Sequence, residues 1–271
     1  MIATWGSWDR MHSTINTNVP CAVLLLALFV VVGTGCASVP GEPDPNDPWE
    51  PFNRSMYGFN DTLDKAIIAP VADVYLHIPN GGRTAVHNFF VNLGYPTTMI
   101  NQFLQGKVDN GFEDTMRFIF NTTLGLLGFI DIAGAVGIPR RDEDFGQTFA
   151  VWGIPPGNFL TLPILGPKTV RSAVAWPLDF LSKPLRWIDT PGEFVVLVFV
   201  DIVDTRARLA PAIRLRDETA FDPYVFTREA YLQQRLNVIH DGNPPLAELE
   251  NLDLLEEDML LEEEKSEGTI K

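Results

Sequence analysis

The sequence predicts an all-α body, and three observations carry that prediction. Residues able to cap helices recur just ahead of apolar residues spaced three and four apart, the pattern of a helix with one apolar stripe. Runs that alternate apolar and polar with the period of a strand are scarce. The 271 residues include 21 glycines and 21 prolines, so long unbroken helices are expected in only a few segments.

The chain is read in four parts: a signal peptide over 1–35, a tether over 36–51, a helical body over 52–241 and an acidic tail over 242–271. Cys21 to Val32 is a 12-residue apolar run, too short to span a bilayer and suited to the h-region of a secretory signal that starts at Met1 or Met11. Gly33-Thr34-Gly35 places small residues before Cys36, like a bacterial lipobox, so Cys36 is the expected lipidation site. Five prolines between Ala37 and Pro51 make a semi-extended spacer. In the body, Asn53 and Ser55 offer caps to a helix through Met56, Phe59 and Leu63, which Pro70 is expected to end. Thr84 to Leu93 is a short helix closed by Gly94. A further helix starts near Pro96 and stops at Gly106. Asp109 to Thr123 sets Phe112, Met116, Ile119 and Phe120 on one stripe. Thr169 to Ala175 is helical up to Pro177. A long helix runs from Pro191 to Leu209 and meets Pro211, and Asp222 to Gln234 is the last, with Pro223 at its first position. The tail holds ten acids and two lysines. It reads as a solvated appendage, with a partner-binding helix through Leu252, Leu255 and Met259 as the alternative.

Composition excludes several functions. A net charge of −15 argues against nucleic acid and against docking on anionic lipid through a basic patch. Both cysteines, Cys21 and Cys36, precede the body, which therefore has no thiol nucleophile, thiolate metal site or disulfide. His77, His87 and His240 lack metal-ligand spacing, and no serine sits in a GxSxG elbow. Gly166-Pro167-Lys168-Thr169 is no phosphate loop, because proline separates glycine from lysine and removes a backbone donor. No enzyme, cofactor or metal is expected. The outstanding feature is the stretch 118–138, 21 residues with one acid, Asp131, and with glycines at 125, 128, 134 and 137. It is apolar enough for a membrane and too glycine-rich for a plain span. It fits a broken or hairpin element packed in protein or lying in a membrane interface. The run Phe194–Val200 is apolar all round its helix, which must be enclosed or face lipid.

Several stretches together resemble the MlaA (VacJ) family of outer-membrane lipoproteins. They are Asp47-Pro48-Trp49-Glu50-Pro51-Phe52-Asn53-Arg54 with Met56-Tyr57; Asn101 to Gly106; Arg117-Phe118 with Asn121-Thr122 and Leu124-Gly125; Gly128 to Ala133; Asp144 to Thr148; Leu162-Pro163 with Gly166-Pro167; Asp204 to Ala207; and Asp222-Pro223-Tyr224 through Arg228 to Tyr231. The resemblance implies a helical ring in the periplasmic leaflet of the outer membrane, anchored by lipid and pierced by an amphipathic channel. It implies removal of misplaced membrane phospholipids from the outer leaflet and their delivery to a periplasmic carrier (MlaC-like), beside a trimeric outer-membrane porin. A path polar on one side and apolar on the other lowers the cost of carrying a headgroup through hydrocarbon. Gly125, Gly128, Asp131, Gly134 and Gly137 are the candidate channel or gate residues. Arg117, Arg140, Arg141 and Arg206 are candidates for phosphate, against the plainer reading of ion pairs with acids such as Asp204. The alternative function is a porin-associated envelope lipoprotein that moves no lipid.

Overall fold

A computed structural model describes residues 47–247. The signal peptide, Cys36, most of the tether and most of the acidic tail lie outside the described residues. The body is helical, as the sequence predicts. Helix α1 (Glu50–Leu63) passes through a π turn (Asp64–Ile68) into α2 (Ala69–Tyr75), and α3 is Asn80–Leu104. Next come α4 (Val108–Thr123), the short α5 (Ile132–Ala135) and α6 (Phe145–Val151). The strands β1 (Phe159–Leu162) and β2 (Gly166–Thr169) precede α7 (Val170–Ser182), α8 (Pro191–Thr219) and α9 (Pro223–Ile239). No described helix is long and apolar enough to cross a membrane.

Four prolines expected to end or start helices lie within continuous helical segments. Pro96, Pro177 and Pro211 sit inside α3, α7 and α8. Each removes one backbone donor and crowds the carbonyl four residues back. At these sites the turns on both sides continue, so one lost bond does not end the helix. At Pro70 the chain widens instead: the Ala69 N–H donates to the Asp64 carbonyl, five residues back, and α2 starts with proline in its first turn.

The periodicity showed none of the short elements: α2, α5 and α6, of seven residues or fewer, and the antiparallel hairpin. Phe159 lies opposite Thr169 and Leu162 opposite Gly166, and four residues per strand are too few to display an alternation. Two asparagines two turns apart on α1 serve its outer edge. The Asn53 amide accepts from Thr161 N at 2.8 Å and donates to the Phe159 carbonyl at 3.2 Å. Asn60 accepts from Ile164 N at 2.7 Å and donates to the Leu162 carbonyl at 2.9 Å. They thus cover an edge that would otherwise stay unpaired.

The packed body also begins before residue 52. Asp47, assigned to the tether from its prolines, is buried and accepts from the Asn53 amide at 2.8 Å and from the Tyr224 hydroxyl. The α3–α4 corner is a C-terminal cap: Gly106 N bonds to the Phe103 carbonyl, Lys107 N to the Gln102 carbonyl, and Gly106 takes φ +76°. A small apolar core of Ala72, Tyr75, Val203 and Ala207 locks α2 to α8.

Candidate functional site

The expected apolar stripe of α4 points outward. Its buried face is Gly111, Asp114, Arg117 and Asn121, while Phe112 is 62% exposed and Met116 and Ile119 are exposed as well. Helix α3 behaves alike, burying Asn92, Tyr95, Thr97, Thr98, Asn101 and Gln102 and exposing Ile100, Phe103 and Leu104. On α8, Val195, Val196, Phe199 and Ile202 form an exposed stripe ahead of the small core. Among the described residues, buried polar side chains outnumber buried apolar ones by about two to one. Water-soluble domains bury their apolar residues preferentially. A body with polar contacts inside and large aliphatic and aromatic groups outside is built for contact with hydrocarbon.

Three polar clasps hold this interior. In the first, the two ends of the body meet. Asp47 binds Asn53 and Tyr224, Arg228 stands 3.5 Å from it, and Arg54 pairs with Asp222 at 2.6 Å. Asp222 also caps α9 through Tyr224 N at 2.8 Å. In the second, Thr148 of α6 donates to Asn101 of α3 at 2.6 Å, Gln102 reaches Asp114 of α4 at 3.1 Å, and Gln105 reaches Glu143 at 2.7 Å. Asp144, which caps α6, takes Arg235 of α9 through both oxygens at 2.6 and 3.0 Å. Burial pushes the Asp144 carboxyl up, yet Arg235 and the Gln147 amide outweigh it and hold it below the usual carboxylate range.

The third clasp carries the glycine-rich segment. After α4 the chain turns through Leu126, Leu127 and Gly128 at φ 53°, 60° and 96°. The Gly128 N–H returns to the Asn121 carbonyl at 2.8 Å, and Leu127 N to the Thr122 carbonyl at 3.0 Å. Beneath the turn, the Asn92 amide donates to the Thr122 hydroxyl at 2.8 Å. A Cβ on Gly128 would fall 2.3 Å from that of Asn92, one on Gly125 would fall 2.2 Å from the Ile130 carbonyl, and one on Gly134 would fall 2.4 Å from an Asp131 oxygen. Gly137 has open space around it and needs glycine only for its φ of +89°.

Asp131 is paired. It accepts from Arg117 at 2.5 Å, from Asn121 at 3.0 Å and from Gly134 N at 3.0 Å, capping α5. Burial raises its carboxyl, but these donors dominate and hold it below the usual range. Arg117 itself is 2% exposed and also donates to the Ile138 carbonyl at 2.5 Å. The segment thus has a polar underside. Leu124, Leu126, Leu127, Phe129, Ile130 and Val136 are exposed, with Leu126 at 64%. Four of the five candidate residues, Gly125, Gly128, Asp131 and Gly134, are brought together within this clasp, and Gly137 follows at its open end.

Of the arginines read as phosphate candidates, three are bound to acids. Arg117 holds Asp131, Arg141 holds Glu113 at 2.7 Å, and Arg206 holds Asp64 through both oxygens at 2.8 and 2.9 Å. Asp204 instead takes Arg208, at 3.0 Å, from the same helix. Arg140 differs, because its partner is His87 at 2.9 Å.

A family model described as MlaA lipoprotein matches residues 45–237. The chain belongs to the MlaA lipoprotein family. It is 34% identical to the intermembrane phospholipid transport system lipoprotein MlaA of Escherichia coli (strain K12), over 86% of this chain and 95% of that protein. It is 32% identical to the protein of the same name from Haemophilus influenzae, over 81% and 91% of the two chains. A solved chain described as giving the structural basis for maintenance of bacterial outer membrane lipid asymmetry is 34% identical. Its TM-score is 0.63, over 73% of this chain and 99% of that one. The stretches that carry the family resemblance are therefore the clasps themselves: Asp47, Asn53, Asn101, Gln102, Arg117, Asn121, Asp131, Asp144, Thr148, Asp204, Asp222, Tyr224 and Arg228 are all in contact within them or in the cluster around Asp204. Sequence reasoning missed Asn92 and Glu143. It also took the apolar stripe of α4 for its inner face, where the structure buries Asp114, Arg117 and Asn121.

Proposed function

We propose that this protein takes part in intermembrane phospholipid transport, removing phospholipids misplaced in the outer leaflet of the outer membrane and so maintaining its asymmetry. The observation that carries the reading is the inverted burial: a polar interior behind a belt of exposed aliphatic and aromatic side chains. Such a body rests in one leaflet without a spanning helix. It offers a lipid headgroup polar company and its acyl chains apolar company, which removes much of the cost of exposing a headgroup to hydrocarbon. In this reading Cys36 carries the lipid anchor, the helices form a ring around an amphipathic channel, and the segment Leu124–Gly137 lines or gates it. A trimeric porin flanks the ring and an MlaC-like periplasmic carrier accepts the lipid. The protein supplies passage and no fuel, so movement runs downhill or is driven by its partners.

The test is transfer from proteoliposomes. The lipidated protein, reconstituted with a labelled phospholipid, should pass label to added periplasmic carrier at least tenfold faster than protein-free vesicles. Equal rates would leave the scaffold reading in its place. Replacing Cys36 with Ala should abolish incorporation of a fatty-acid probe, and unchanged labelling would refute the anchor.

A further inference from the structure

In a chain of net charge −15, one small cleft is cationic. It encloses about 60 Å³ between α2, the N-terminal turn of α3, and α8. Tyr75, Asn80, Arg83, Thr84, Asp204 and Arg208 line it. Its only carboxylate, Asp204, is 1% exposed and already accepts from the Tyr75 hydroxyl at 2.8 Å, His87 at 3.0 Å and Arg208 Nε at 3.0 Å. The two guanidinium groups are fixed from behind. Arg83 donates to the Ile78 carbonyl at 2.9 Å and to the Asn80 amide oxygen, and it has no carboxylate partner. Arg208 donates through Nη2 to the Arg83 carbonyl at 3.1 Å. The Nη1 groups of both have no acceptor among the described residues. Arg140, joined to His87 on the other side of the same cluster, adds a third positive charge to the neighbourhood and has no acid of its own.

The backbone adds to the same field. Helix α3 has 25 residues, its N-terminus carries no side-chain cap, and no acid lies in its first turn. Its positive end is therefore unneutralised beside the two arginines. Forked donors on arginine match phosphate oxygens, and the Thr84 hydroxyl and Asn80 amide add neutral donors.

We propose that this cleft is a binding site for a phosphate group, with Arg83 and Arg208 as its principal ligands. The site takes one compact tetrahedral anion and has no room for acyl chains. The phosphodiester of a phospholipid meets that requirement if its chains stay outside, as does free inorganic phosphate. The first source rests on the transport reading, and in that case the cleft is a headgroup station on the lipid's route.

The experiment uses the full chain purified in a zwitterion-free nonionic detergent. Dihexanoyl-phosphatidylglycerol, dihexanoylglycerol and inorganic phosphate are titrated separately, with binding followed by calorimetry. The phosphatidylglycerol should bind, and Arg83→Gln with Arg208→Gln should weaken it tenfold or more. Dihexanoylglycerol, which lacks the phosphate, should show no difference between the wild-type protein and the double variant. Competition between inorganic phosphate and the lipid identifies one shared site. Binding of inorganic phosphate alone, lost in the double variant, makes it a free-anion site and overturns the headgroup assignment. Equal affinity of wild type and double variant for both anions overturns the proposal. Arg83→Lys, which keeps the charge and loses the fork, should weaken binding less than Arg83→Gln does, with an unchanged melting midpoint showing that the fold is intact. Normal transfer to the carrier by a double variant with unweakened affinity would refute this site and leave the transport reading standing. Failure of the wild-type chain to transfer lipid would refute that reading instead.

Discussion

Single residues in the glycine-rich segment have separable roles. Gly128 needs both a left-handed backbone and the absence of a Cβ, which would meet Asn92. Gly128→Ala should cost about 3 kcal/mol, from backbone strain of about 1–2 and crowding of about 1–3. Gly137→Ala meets no neighbour and should cost about 1 kcal/mol. Urea unfolding of both variants measures the difference, and equal costs would contradict the contact with Asn92. Gly137 is therefore the cleaner probe of gating, because a change in lipid transfer there is not masked by misfolding. His87 supplies a second residue-level test. Arg140 can only donate, so His87 Nε2 accepts from it and Nδ1–H faces Asp204. Burial lowers the His87 pKa, and Arg208 and Arg140 lower it further against the pull of Asp204. The folded state then binds fewer protons than the unfolded state below about pH 6.5. Stability should fall as pH drops through that value toward the lowered pKa, and His87→Gln should flatten this part of the melting profile. An unchanged slope in the variant would exclude His87 as its source. Asp179 acts with the opposite sign. Burial raises its carboxyl to about 6, with the Phe145 amide and nearby cations opposing. Its contribution is lost as pH rises through about 6. Asp179→Asn keeps an acceptor for Phe145 N and should raise the melting midpoint at pH 7.5 while leaving it unchanged at pH 4.

At the scale of elements, α4 tests the inversion. Asp114 lies inside and Ile119 outside. Asp114→Ala strips Gln102 of its partner and should destabilise by about 2 kcal/mol. Ile119→Ser should cost less than about 1 kcal/mol in detergent and should weaken attachment to vesicles. The reverse order would mean that the apolar stripe is the core. The longer helices were legible from spacing, and at two starts the cap lies where the sequence marks it: Thr169 accepts from Ser172 N and Asp222 from Tyr224 N. Asn53 and Ser55, read as caps, instead lie inside α1, which starts at Glu50 with no side-chain cap, and Asn53 bonds to the hairpin. The direction each helix faces was not legible. Periodicity reports that one face is apolar and is silent on whether that face meets protein or lipid. The ends read at Pro70, Gly94, Pro177 and Pro211 and the start read at Pro96 all fall within continuous helix, because the local cost of one proline or glycine was weighed without the packing beyond it. The candidate site was partly legible. Glycine and Asp131 in one apolar stretch flagged the right segment, but Arg117 and Asn92, its partners from α4 and α3, sit too far off in sequence for spacing to connect them. The cationic cleft was invisible for the same reason, since Arg83 and Arg208 meet only after α3 folds against α8.

The described body combines a polar, cross-linked interior with an apolar exterior, and its first residues meet its last helix through Asp47, Tyr224 and Arg228. Beyond α9, Lys107 pairs with Asp241 at 2.6 Å. Truncation after Asp241 keeps that pair and should leave the melting midpoint and the helical signal per residue unchanged. A large fall would show that the acidic segment packs on the body. Transport and mere scaffolding of a porin by this inverted body differ in what reaches the cell surface. The most direct measurement is the amount of phospholipid exposed at the cell surface of a bacterium lacking its own family member, with and without this chain. The wild-type chain should restore low surface phospholipid, and a stably folded Gly137→Ala variant should change that level in one direction or the other. Surface phospholipid that stays high in cells holding normal amounts of correctly lipidated wild-type protein would contradict the transport reading.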